Sequence, residues 1–156
     1  MSDPPRRLVV GIGNPDRGDD GAGRLVARLL RGRLAADVRI EACLGGAAEL
    51  IELLREADVA VLADAMVSGA EPGTIRRFDC AAGGVVPGPG GASSHGLGVA
   101  QAVGLARALG CLPAVCVVFA VEGADFAPGA PVSPPVAAAA EEAARRIAAE
   151  LAGKLR

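Results

Sequence analysis

The stretch that most restricts the fold is DVAVLADA, residues 58–65. Its near-continuous apolar run ends in an acid, and a strand of this kind is buried on both faces. A sheet that contains it needs helices above and below. The rest of the chain supplies them, because strand-like and helix-like segments alternate along it. Residues 8–12 are a β-rich run that ends at glycine. From residue 20 to 30, Ala22, Leu25, Val26, Leu29 and Leu30 recur at helical spacing, with Gly32 as a stop. Residues 38–42 read as a second strand, and Ala47, Leu50, Ile51 and Leu54 mark a second amphipathic helix. PGTIRRFD, residues 72–79, reads as a turn and an alternating, exposed strand suited to an antiparallel sheet edge.

Residues 80–94 hold too many Gly and Pro for regular structure and predict an exposed, mobile loop. A third helix is expected over 96–109 and a further strand over 114–122. The last helix carries the stripe Val136, Ala140, Ala143, Ile147, Leu151 and Leu155, with Pro134 and Pro135 in its first turn. The expected architecture is α/β: a three-layer sandwich with a mixed, mostly parallel sheet of about five strands and helices on both faces. No repeat or composition shift divides the chain, so residues 1–156 are expected to form one domain.

Composition narrows the chemistry. Half of the chain (51%) is hydrophobic but only 2% is aromatic, so Ala, Val, Leu and Ile must fill the core around Phe78, Phe119 and Phe126. The net charge is −2 with both signs interspersed, and no basic stripe points to nucleic acid. No apolar run approaches the ~18 residues of a membrane span. The opening MSDPPRRLVV lacks the apolar segment and cleavage site of a secretory signal, so the expected location is the cytoplasm. Cys43, Cys80, Cys111 and Cys116 have no regular pairing spacing and read as buried small hydrophobes.

The chemistry-bearing features are three. VVGIGNPDRGDD, residues 9–20, is a glycine loop between a strand and a helix, the usual place for a phosphate cradle. Yet it has Asp19-Asp20 where a Walker loop has Lys-Ser/Thr, and Asp16 where the dinucleotide fingerprint has its third glycine. Carboxylates there would repel a pyrophosphate. Asp19 and Asp20 either cap the free N–H groups of the helix or serve as ligands. Both readings fit if Asp19 caps and Asp20 faces a cleft. Asp64, ending its apolar run, is either a turn residue or an acid whose burial requires a partner. His95, the only histidine, stands in SSHGLG at the start of the third helix. Together Asp20, Asp64 and His95 make two carboxylates and one imidazole, a set that suits a first-row divalent metal with open positions for substrate.

These blocks resemble the maturation endopeptidases of nickel–iron hydrogenases. GIGNPDRGDDGAG is similar to that family's opening loop with its acidic pair. VLADAMVSGAEPGTIRRF is similar to its second block, a strand ending in Asp before a Pro-Gly-Thr turn. SSHGLGVAQAVGLARALG resembles the histidine block, and VVFAVEGADFAPGAPVSPPV the closing strand, acid and Ser-Pro entry to the last helix.

The resemblance implies an enzyme that cuts a C-terminal extension from a hydrogenase large-subunit precursor after nickel insertion. It places the nickel-recognising and catalytic roles on Asp20, Asp64 and His95. The nickel would arrive in the precursor, no organic cofactor is implied, and the precursor is the expected partner of a monomeric protein. The family's Asp-Gly-Gly-Thr-like turn after the second strand is replaced here by EACLGGAAEL, so no functional acid is assigned there. Asp16 is likewise unassigned, while Asn14 and the loop N–H groups are candidate oxyanion donors. A non-catalytic nickel- or precursor-binding chaperone and a general metal-dependent hydrolase are the alternatives.

Overall fold

Strand β3 (Val59–Met66) is buried at every one of its eight residues, and the sheet is built outward from it. The computed structural model describes residues 3–84, 98–153 and 155. Among these residues β1 (Arg7–Ile12), β2 (Val38–Cys43), β3, β4 (Ile75–Asp79) and β5 (Val115–Glu122) form one sheet in the order β2-β1-β3-β5-β4. The first three and β5 run parallel, and β4 pairs antiparallel with β5 at the sheet edge. The mixed α/β sandwich and the antiparallel edge strand are therefore as the sequence predicts.

Helices α1 (Ala22–Leu30), α2 (Ala47–Arg55), α3 (Gly98–Ala108) and α4 (Pro134–Ala152) divide between the two faces. The strand period of two sorts the core accordingly. Leu8, Val10, Ile12, Ala60 and Leu62 pack with Leu50 and Leu54 of α2 and Val99 and Ala102 of α3. Val9, Val61, Val117 and Phe119 pack with Val26 and Leu30 of α1 and Ala143 and Ile147 of α4. Right-handed crossovers require this split. The β1–α1–β2 connection moves one way along the sheet, and β2–α2–β3 returns past β1 to its other side. The connections thus diverge between β1 and β3, where ligands bind beyond the carboxyl ends of such strands.

The low aromatic content has a local counterpart where α1 crosses the sheet. A Cβ on Gly23 would collide with the carbonyl oxygens of Ala63 on β3 and Ile12 on β1, and would lie 2.8 Å from the Ala63 carbonyl carbon. The helix backbone therefore rests directly on the two strands that carry the switch point. Gly23→Ala must lift α1 away from them. The expected cost is about 2–3 kcal/mol, read as a melting temperature lower by about 5–10 °C.

The boundaries shift in instructive ways. The helix expected from residue 20 begins at Ala22, after a separate 3₁₀ turn, Gly18–Gly21. Strand β3 continues two residues past Asp64, so that acid lies within the strand and does not terminate it. The last helix stops at Ala152, although Leu155 still reaches the core. Of the Gly/Pro-rich segment predicted as a mobile loop, residues 85–94 lie outside the described residues. Among the described residues, no helix is long and apolar enough to cross a membrane.

Candidate active site

The loop after β1 spends its backbone donors on itself and its neighbours. Gly13 N–H donates to the Cys43 carbonyl (3.0 Å), Arg17 N–H to Asn14 (3.2 Å) and Asp20 N–H to Arg17 (3.1 Å). Gly18 N–H donates to Ala130 (3.0 Å) and Asp19 N–H to Asp125 (2.7 Å). Asn14 N–H donates to Asp20 Oδ2 at 3.0 Å, and Asp16 N–H to Asn14 Oδ1 at 2.9 Å. Pro15 has no N–H. Every backbone donor from residue 13 to 20 is thus engaged within the chain, which argues against a phosphate cradle more directly than the missing lysine. It also corrects the expectation that Asn14 and this loop offer oxyanion donors from the backbone.

The two adjacent acids do different work. Asp19 is fully buried, but neither the 3₁₀ turn nor α1 has a side-chain cap. This corrects the capping role predicted for it. Its Oδ2 accepts from the N–H groups of Ala124 (2.8 Å) and Asp125 (3.0 Å) and from Ser133 Oγ (2.9 Å), and its Oδ1 from Ser133 N–H (2.7 Å). Burial alone would raise its pKa. The N–H groups of Asp125, Ser133 and Ala124 and the Ser133 hydroxyl outweigh burial and hold the carboxyl below its ordinary value. Asp19 is therefore the tie between the loop and the β5–α4 connection. Gly18 beside it has φ +56°, and a Cβ there would collide with the Asp125 carbonyl oxygen, so the loop and the connection meet backbone to backbone.

With Asp19 anchored, the 3₁₀ turn packs against β3 and α1 and carries Asp20, which is 4% exposed. Asp64 is 2% exposed, and its Oδ1 accepts from Ala65 N–H at 2.8 Å. By strand alternation Asp64 belongs to the sheet face covered by α2 and α3, since Leu62 and Met66 pack there. Two of the three predicted site residues thus stand at the diverging ends of neighbouring strands. The third, His95, lies outside the described residues; in sequence it precedes α3 on that same face by three residues. Among the described residues no three His, Cys, Asp or Glu side chains are grouped to hold a metal ion. Asp16, unassigned from sequence, is exposed and contributes its carbonyl to Gly129 N–H (2.7 Å).

Two neighbours carry no site role in the sequence reading. Cys43 ends β2 opposite Ile12, on the face shared with Asp64. Its thiol is pushed up to about 11, chiefly by burial, with further upward contributions from Glu49 and Asp64 and downward ones from Gly45 and Arg24. Glu122 ends β5 and is buried at 2% exposure. It accepts from Ser68 N–H at 2.9 and 3.0 Å and from the Ser68 hydroxyl, fastening the turn after β3. An acid ending an apolar strand was the available signal, the same one that drew attention to Asp64.

The family model for hydrogenase maturation protease, HycI, matches residues 26–150. Its match begins after the acidic loop, which solved structures do cover. The chain is similar to the hydrogenase maturating endopeptidase HybD from E. coli, with 28% identity over 96% of this chain and 93% of that one and a TM-score of 0.76. It is similar to the [NiFe] hydrogenase maturation protease HycI from Thermococcus kodakarensis KOD1, at 26% identity, 96% and 94% coverage and a TM-score of 0.73. An endopeptidase from Escherichia coli matches with 25% identity, 94% coverage of each chain and a TM-score of 0.77. No curated protein matches the sequence. A buried acidic site at the switch point, a family match over most of the chain and end-to-end structural agreement lead to one statement: the chain belongs to the hydrogenase maturation protease family.

Proposed function

We propose that this protein is the endopeptidase that removes the C-terminal extension of a nickel–iron hydrogenase large-subunit precursor after nickel insertion. In this reading Asp20, Asp64 and His95 engage the nickel that the precursor carries, so the metal belongs to the substrate. The observation that carries it is the pair of buried carboxylates, Asp20 and Asp64, set at the diverging ends of β1 and β3. Carboxylate and imidazole donors suit a divalent first-row cation. Taking hold of the precursor through its nickel makes attack on the neighbouring peptide bond effectively unimolecular. Hydrolysis consumes one water, whose hydroxyl goes to the carbonyl carbon and whose proton goes to the departing amine. The protein works in this reading as a cytoplasmic monomer without an organic cofactor.

The test is incubation of the purified protein with nickel-loaded and nickel-free precursor, followed by intact-mass measurement. Loss of the tail from the loaded form alone is the expected result. Binding of precursor without shortening would instead make the protein a chaperone. Equal cleavage of both forms by a protein that retains its own stoichiometric metal would make it a general metal-dependent hydrolase.

A further inference from the structure

The arginines of this chain are unevenly satisfied. Arg6, Arg7, Arg33, Arg39, Arg55, Arg77, Arg145 and Arg146 each pair with an Asp or Glu. Arg17, Arg76 and Arg107 show no acid pair among the described residues. Arg24, Arg28 and Arg31 show none either; the first two stand one turn apart on α1 and the third caps its C-terminal end. They line a groove of about 380 Å³ together with Pro15, Gly21 and Ala42, within the size range of ligand sites, about 300–1,000 Å³. Pro15 and Gly21 bring the loop that presents Asp20 to its rim, and Ala42 of the edge strand β2 and Val132 line it opposite the arginines. Its basic character stands out in a chain of net charge −2.

The spacing of the charges is also specific. Arg24 and Arg28 are one helical turn apart, about 6 Å along the axis. Side chains on one face of an extended peptide recur every second residue, about 6.6 Å. An extended segment with acids at alternate positions would therefore meet successive guanidinium groups in register. Guanidinium and carboxylate groups pair by two parallel hydrogen bonds. We propose that the groove between α1 and β2 is a substrate subsite for an extended acidic segment of the precursor, laid over Pro15 from the bond cut beside Asp20 and Asp64. The proposal rests on the peptidase reading for its substrate. The groove grips the chain away from the reacting bond and so adds to binding without entering the chemistry.

The experiment compares the wild-type protein with Arg28→Glu/Arg31→Glu, two exposed positions whose change leaves the fold intact, and with Arg28→Lys/Arg31→Lys. Cleavage kinetics and binding to immobilised nickel-loaded precursor are both measured, from ~0.05 to ~0.5 M salt. The charge-reversed variant is expected to raise KM about tenfold with kcat within about twofold, to lose most salt dependence, and to be largely rescued by lysine. An unchanged KM with unchanged salt dependence overturns the subsite and leaves the peptidase reading standing. If the wild-type protein binds precursor without cutting it, the subsite stands on the variant's loss of binding and falls on equal binding. Absence of both binding and cutting overturns both. Displacement of the precursor by a single-stranded oligonucleotide would overturn the assignment of the groove to a peptide.

Discussion

Asp64→Asn is expected to lower cleavage of nickel-loaded precursor by about a thousandfold or more, while the protein remains folded. The substitution keeps the shape of a side chain that is 2% exposed and keeps an oxygen to accept from Ala65 N–H. It removes the charge. A buried carboxylate is costly to maintain, so the neutral variant should melt within a few degrees of the wild type, or slightly above it. Nickel-loaded precursor is the substrate for the assay, and circular dichroism with a thermal melt is the check on folding. Processing at the wild-type rate by a folded Asp64→Asn protein would sink the role proposed for this residue.

The second large effect falls on stability. Asp19→Ala strands three half-buried N–H groups and the Ser133 hydroxyl. A fully buried orphaned donor costs about 1–3 kcal/mol and one that water reaches costs less, so about 3 kcal/mol is expected, or roughly 10 °C in melting temperature. The pH dependence has a defined sign. The folded-state pKa of Asp19 lies below its ordinary 3.8. A carboxyl of this kind stabilises the fold above the unfolded value, and the contribution is lost as pH falls through the folded one. Urea denaturation from pH 7 to pH 3 should therefore show a drop below about pH 4 in the wild type that is absent in Asp19→Asn. A drop of the same size in both proteins would move the acid-sensitive group elsewhere.

How much of this was legible in the chain depends on the range of the interaction concerned. Residues 58–65 announce a doubly buried strand because the information is local, and PGTIRRFD announces an edge because its alternation is local too. Asp64 was visible as an acid that the pattern could not explain. Asp19 and Asp20 could not be separated, since neighbouring acids in one loop have the same local context. What separates them is a set of donors on the β5–α4 connection, more than a hundred residues away. Gly23 looked like an ordinary helix glycine, because the carbonyl oxygens it accommodates belong to two other strands. The arginine groove was invisible for the same reason: the spacing of Arg24, Arg28 and Arg31 can be read from sequence, but not that they form no ion pair among the described residues. His95 is prominent in the sequence as the single imidazole, and it lies outside the described residues.

The hydrogen bonds of Asp19 span 105, 106 and 114 residues. During synthesis the loop that carries Asp20 leaves the ribosome more than a hundred residues before the groups that anchor it. Until Ala124 has emerged, the carboxylate lacks every one of these donors, and the acidic turn is without its tie to the β5–α4 connection. Contacts of such separation form late because loop closure must precede them. The order of translation therefore delays the anchoring of the acidic loop until the β5–α4 connection has been made, and nascent fragments ending before residue 124 would lack it.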